Sequence, residues 1–213
     1  MLGKFITIEG TEGVGKSTQI DLIKEYCKTN DINAVFTREP GGVKEAEKIR
    51  QIILDKDSKL HPLTELLMYL AARSEHLDRV VMPALRKGKT VFCDRFSDST
   101  IAYQGYGRGL YPIQEFCTMI PQQFNLKIDL TLFLDLPPEE SFKRKGGIDY
   151  GDRIEKEGLQ FHERVYLGFK ELALLKENQK RIVTIDASGE IKETHERIMG
   201  VLKERGVIQL VLK

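Results

Sequence analysis

The sequence is poor in cysteine. Its three, Cys27, Cys93 and Cys117, are odd in number, scattered, and form no C-x-x-C pair. That excludes a disulfide scaffold and suits a reducing cytoplasm. Long apolar runs are also missing: no stretch approaches the ~20 residues of a membrane span, so no membrane partner is expected. The first residues hold one short apolar run before Glu9, with no basic segment and no small-residue cleavage site, and do not read as a signal peptide. Charge of one sign is lacking as well. Lys+Arg number 33 against 32 Asp+Glu, net +1, whereas a general nucleic-acid binder shows a basic excess. No 20–50-residue repeat is visible. The histidines (His61, His76, His162, His195) are far apart and without acidic neighbours at ligand spacing, so they read as surface or structural residues rather than zinc ligands.

What is present is a globular composition: 213 residues, 41% hydrophobic and 31% charged. Short runs rich in β-branched and aromatic residues alternate with longer amphipathic ones. The strands are Phe5–Glu9, Ala34–Thr37, Thr90–Cys93, Leu130–Leu134 and Arg181–Ile185. Helices are expected at Lys16–Lys28, Val43–Leu54, Leu63–Lys87, Pro112–Gln122, Pro138–Arg144, Leu159–Asn178 and Ile191–Arg205. The longest should kink at Pro83 and be capped by Gly88. Val207–Leu212 reads as a short extra strand or a docked tail. Near-continuous apolar strands separated by helices define an α/β fold, a doubly wound five-stranded parallel sheet flanked by helices. No linker divides it, so residues 1–213 are read as one domain.

The sharpest motif is Gly10-Thr-Glu-Gly-Val-Gly15-Lys16-Ser17, which fits G-x-x-x-x-G-K-[ST] between a strand and a helix. Its backbone N–H groups, with the helix N-terminus, cradle phosphate oxygens. Gly10, Thr11, Glu12, Gly13, Val14, Gly15, Lys16, Ser17 and Thr18 are therefore read as the phosphate-binding residues for ATP. Lys16 would bridge the β- and γ-phosphates and Ser17 would ligate Mg²⁺. Motors, switches and kinases all share such a loop, so the rest of the chain must separate them. The absence of N-K-x-D disfavours a GTPase.

Strand ends deliver further charge. Arg38 follows the second strand and Asp94-Arg95 the third, both at positions that line the ligand crevice of a doubly wound sheet. Two arginines there would fork around a second phosphate, and Asp94 could hold Mg²⁺ through water. Alternatively Arg38 pairs with Glu39 and Arg95 with Asp94. Tyr69 and Arg73 share one helix face, as do Ser99 with Tyr103 and Thr100 with Gln104, all at i,i+4. An aromatic plane beside a guanidinium suits a nucleobase; a core Tyr with a solvated Arg is the plainer alternative.

In order, the GTEGVGKS, TREPGG, YLAAR, DRF, STIAYQG and DRIE segments resemble bacterial thymidylate kinases, over about Phe5 to Asp186. The resemblance implies a phosphate-loop kinase fold, a mobile lid at about 143–153, usually a homodimer, and transfer of the γ-phosphoryl of ATP to dTMP, giving dTDP for deoxynucleotide synthesis. It implies that Arg38 and Arg95 hold the acceptor phosphate, Tyr69 stacks on thymine, and Arg73 bonds its O4. Thr100 and Gln104, with Ser99 nearby, would meet the base, Tyr103 would crowd a 2′-hydroxyl, and Glu12 would approach the 3′-hydroxyl. Two departures stand out. Tyr69 replaces the usual Phe, and Gly13 occupies a position where some members carry arginine. Arg144, Lys145 and Arg153 are then expected to meet the phosphoryl charge, with Gly146-Gly147 as hinge. A kinase for another monophosphate is the nearest rival, and a switch or partition ATPase a more distant one.

Overall fold

The computed structural model describes residues 2–144 and 151–208. Five parallel strands form one sheet: β1 (Phe5–Glu9), β2 (Ala34–Arg38), β3 (Thr90–Asp94), β4 (Leu130–Asp135) and β5 (Ile182–Asp186), in the order β2-β3-β1-β4-β5. Each strand begins within one residue of its expected place. Four of the five end one residue further on, because Arg38, Asp94, Asp135 and Asp186 still pair with a neighbouring strand.

Between the strands lie α1 (Lys16–Thr29), α2 (Lys44–Leu54), α3 (Pro62–His76), α4 (Met82–Arg86), α5 (Ser97–Thr100), α6 (Gln114–Gln123), α7 (Pro138–Arg144), α8 (Leu159–Leu174) and α9 (Ile191–Glu204). The single long helix expected over Leu63–Lys87 is interrupted ahead of Pro83 by a π turn at Leu77–Val81. Proline lacks an N–H and crowds the preceding turn, and a wider turn accommodates both. Gly88 ends it at φ +71°, a conformation that suits glycine. α8 stops at Leu174, four residues short, where the polar Lys176–Lys180 stretch has nothing apolar to bury. After α5 the chain continues as a wide π segment, Ile101–Gly107.

Both sheet faces are covered. One carries Ile6, Ile8, Ile23, Leu132, Ile198 and Leu202, with Val207 and Ile208 buried against it. The tail therefore docks as far as Ile208; its remaining expected residues lie outside the described ones. The opposite side holds Leu66, Ile101, Phe133, Phe161, Val165 and Phe169. Burial of this kind contributes roughly 1.5–3 kcal/mol per large apolar side chain. What the layers achieve for function is register. Ile8 pairs with Asp94, and Asp94 with Arg38, so three strand ends open onto one crevice beside the chain's first turn.

Candidate active site

β1 ends at Glu9 and the chain wraps through the phosphate loop before α1 begins at Lys16. Gly10, Gly13 and Gly15 all have positive φ, which turns successive N–H groups toward one centre. At Gly13 (φ +75°) a Cβ would stand 2.8 Å from the Ser141 carbonyl of α7. No arginine side chain fits there. The helix leading toward the expected lid packs directly on the loop instead.

Lys16 Nζ donates to the carbonyls of Gly10 (3.1 Å) and Thr11 (2.7 Å). Burial first, and then Arg95, lowers its pKa to about 8. The phosphate-loop backbone of Gly13, Gly15, Ser17 and Thr18 lines the same cavity as the Lys16 ammonium, the composition of an anion cradle. The DRF turn is pinned from below: buried Glu9 accepts Phe96 N–H (2.8 Å) and the Ser99 hydroxyl (2.5 Å). Burial, and next Asp98, raises the Glu9 pKa. This turn holds Arg95 at φ +67°, uncommon for a residue with a Cβ, and so aims its guanidinium into the crevice. There Arg95 donates to Gly10 O (2.7 Å), Ser99 Oγ (3.2 Å) and Glu12 (2.7 Å), and lies 4.9 Å from the Tyr103 ring centre. Tyr103 Oη also donates to Glu12, at 3.2 Å. Burial would raise Glu12, but Arg95 and Lys16 outweigh it and hold it at about 2. Arg95 therefore pairs with Glu12 and not with Asp94.

Asp94 faces the cavity with Oδ1 buried and without a partner. That orphan oxygen and the Ser17 hydroxyl, also on the cavity wall, are hard donors of the type Mg²⁺ prefers. Among the described residues no cluster of three His, Cys, Asp or Glu could hold a metal alone. A magnesium arriving with a triphosphate needs only one or two protein oxygens.

At the far end a second network is locked before any ligand arrives. Arg73, 1% exposed, donates Nε to Glu39 (2.7 Å) and Nη2 to Thr100 Oγ1 (2.8 Å), and lies 4.7 Å from the Phe96 ring centre. Glu39 also bonds His76 Nδ1 (2.9 Å), whose Nε2 meets Thr37 Oγ1 (2.7 Å). Arg73 Nη1 alone is buried with no partner. The Arg73 side chain lines the cavity together with Tyr69, Ser99, Thr100 and Gln104. A fork fixed on two sides with one free nitrogen is a donor waiting for a carbonyl.

The whole crevice is one cavity of about 490 Å³. It brings together Glu12, Gly13, Gly15, Lys16, Ser17, Thr18, Arg38, Tyr69, Arg73, Asp94, Arg95, Ser99, Thr100, Tyr103, Gln104 and Arg144. Gly10 and Thr11 sit behind Lys16, and Val14 is in the core. Arg38 pairs with Glu47 (3.0 Å) on the surface rather than with Glu39, which is claimed by Arg73. Arg144 also donates to Ala187 O (2.8 Å) and Gly189 O (3.2 Å). Arg153 does not line this cavity. Instead of facing the loop it donates to Glu65 (2.6 Å) and Ile53 O (2.8 Å), because a buried carboxylate there outcompetes open solvent. Lys145 and the Gly146-Gly147 pair lie outside the described residues. Missed from sequence were the roles of Arg50, Asp152 and Glu39, which line the cavity, and of Glu65 behind it. The i,i+4 spacing Glu65–Tyr69–Arg73 was the available signal for Glu65.

A phosphate loop sharing one crevice with a cationic strand end and a base-sized, side-chain-walled recess defines a phosphate-loop kinase acting on a nucleotide. The comparisons narrow this. The family model described as Thymidylate kinase matches residues 8–198. Thymidylate kinases from Psychrobacter sp. (strain PRwf-1) and Synechococcus sp. (strain JA-3-3Ab) are 46% and 48% identical, covering 92% and 94% of this chain and 95% and 96% of their own. The crystal structure of thymidylate kinase from Ehrlichia chaffeensis superposes with a TM-score of 0.73 at 34% identity, over 95% of this chain and all of that one. The chain belongs to the thymidylate kinase family.

Proposed function

We propose that the chain transfers the γ-phosphoryl of ATP to dTMP, giving dTDP. The single observation that carries this is the pair of preformed ends in one cavity: Lys16 among the loop amides, and Arg73 with one unpartnered nitrogen beside Tyr69. The phosphate loop takes the ATP phosphates, and Lys16 exchanges its two loop carbonyls for β- and γ-phosphate oxygens. Magnesium fits Ser17 and Asp94 and, when bound, supplies charge neutralisation for the transferring group. Arg95 and Arg38 hold the acceptor phosphate, with Arg50 adjoining. Glu12, held ionised, accepts from the 3′-hydroxyl. Tyr103 fills the space below the sugar, and Tyr69 stacks on the base. No general base is required, since the acceptor is already an anion; alignment and charge neutralisation carry the rate. Arg144 is the described lid cation nearest the chemistry. Arg153 serves the fold of the base end.

Residues 1–213 form one domain, with the lid at about 143–153. The homodimer reading is supported by Leu63 and Leu67 on α3 and Phe116 and Met119 on α6, all exposed on helices that pack together. No described helix is long and apolar enough to cross a membrane. Cys27, Cys93 and Cys117 are free and buried, which supports work in a reducing cytoplasm. The test is ATP consumption with Mg²⁺ in the presence and absence of dTMP. Consumption should depend on dTMP. A switch or partition ATPase would instead consume ATP slowly whether or not dTMP is added.

A further inference from the structure

The stripe of α3 that carries Tyr69 and Arg73 starts one turn earlier with Glu65, fully buried behind the cavity wall. Three side chains converge on it. Arg108 donates Nε (3.2 Å) and Nη2 (3.1 Å), Arg153 donates Nη2 (2.6 Å), and Gln104 donates Nε2 (2.7 Å). Burial would raise the Glu65 pKa, but Arg108 and the other donors outweigh it and lower it. The carboxylate therefore stays ionised and can only accept, while both guanidiniums can only donate. An amide's orientation is ordinarily ambiguous from atom positions. Here charge decides it: Gln104 can meet Glu65 only through its NH₂. Its Oε1 is left over, accepts from no protein donor among the described residues, and belongs to a side chain on the cavity wall beside Thr100 and Tyr103.

We propose that Glu65 is a positioning residue that sets base specificity, by holding the Gln104 NH₂ so that Gln104 Oε1 is a fixed acceptor facing the base. Arg73 Nη1 then supplies a donor and Gln104 an acceptor along one edge. Thymine and uracil present the complement, a carbonyl at position 4 and an N–H at position 3. Cytosine presents the reverse at both atoms. The carboxylate never touches substrate; it removes the one rotation that would let Gln104 serve either base. This inference rests on reading the recess as the dTMP site.

The test compares kcat/KM for dTMP and 5-methyl-dCMP, which keeps the shape of thymine and reverses donor and acceptor at positions 3 and 4. In the wild type the ratio should be at least about tenfold, as for a buried acceptor left unpaired. In Glu65→Gln the partner is an amide that can pair in either sense. The ratio should fall by at least about threefold, the position-4 contact of Arg73 remaining, with the loss of dTMP kcat/KM lying in KM rather than kcat. Thermal unfolding establishes that the variant is folded. Glu65→Gln leaves two arginines short of a partner, so a second measurement uses the wild type alone. In ¹⁵N-labelled protein the Gln104 side-chain NH₂ should be slow to exchange before dTMP is added and little shifted afterwards. A folded Glu65→Gln variant with the wild-type ratio would overturn the proposal. So would a Gln104 NH₂ that exchanges freely and shifts strongly on dTMP binding. A wild-type ratio near one, with dTMP still phosphorylated, would overturn it and leave the kinase reading standing. No transfer to dTMP at all would remove the reading of the recess itself.

Discussion

At the phosphate-loop end the crevice is made largely of backbone from one contiguous stretch, residues 10–18, whose cation rests on the loop's own carbonyls. The base end is made of side chains from separate elements, each fixed by a buried carboxylate: Glu39 under Arg73, Glu65 under Gln104. The first design recognises a phosphate chain, which every nucleotide has. The second recognises one base, and reaches that selectivity by burying charge, which is tolerable only when each charge is paired and hydrogen-bonded. The contrast teaches that the catalytic and selective halves of this site should fail differently when altered.

The largest failure is expected at the loop. Lys16→Ala should lower kcat by on the order of 10³-fold, since the lost contacts are to the groups that gain charge during transfer. Its melting temperature should stay close to wild type, which calorimetry can check. A variant with near-wild-type turnover would erase the distinction between the two ends.

Arg73→Ala should instead damage binding and stability together. It removes the free donor and leaves the buried Glu39 carboxylate with His76 as its remaining side-chain partner. A fall of about 10- to 100-fold in kcat/KM for dTMP is expected. A loss of roughly 3–5 kcal/mol in unfolding free energy should accompany it. Denaturant titration beside steady-state kinetics measures both. Unchanged stability would mean the base end is not prelocked.

pH sharpens the comparison from the loop side. In the nucleotide-free protein Lys16 titrates at about 8, pulled down from 10.5 first by burial and then by Arg95. It is charged below that pH and neutral above it. Only the charged form can bridge phosphates, so kcat/KM for ATP should fall as pH rises through 8, to about one-tenth near pH 9. Bound triphosphate favours the charged form, so kcat should stay flat over the same range. A kcat/KM profile level to pH 10 would speak against a desolvated Lys16.

The smallest effect separates the two lid-side arginines. Arg153→Ala should change kcat by less than about threefold while lowering thermal stability, because its partners are Glu65 and the Ile53 carbonyl. Arg144→Ala should act mainly on kcat. Reversal of the two patterns, read from kcat and melting temperature, would return Arg153 to the transferring phosphoryl.

Legibility in the sequence followed the same division. The five strands and the phosphate loop were readable because their signals are local: β-branched runs, glycines at fixed offsets, a Lys-Ser pair. Tyr69, Arg73 and Gln104 were readable as faces of helices. Their supports were not. Glu39 sits in the sequence beside Arg38, which offered that ion pair as the alternative to a phosphate site. Yet Arg73, 34 residues onward, claims Glu39, and Arg38 turns to Glu47. Nothing local to Arg153 showed that Glu65, 88 residues earlier, would bury beside it. The π turn at Leu77–Val81 was half visible, since Pro83 marks a disturbance but not its form. Partnerships over such sequence separations are decided by the sheet order and by which charges the core must neutralise.

The most direct measurement is a competition: equal dTMP and dCMP with limiting ATP and Mg²⁺ in one reaction, products resolved by chromatography. The dTDP to dCDP ratio equals the ratio of kcat/KM values and depends only on the base end. With Arg73 Nη1 as donor and Gln104 Oε1 as acceptor, dTDP should exceed dCDP by at least on the order of tenfold. Equal amounts of the two products would contradict a base end locked for thymine.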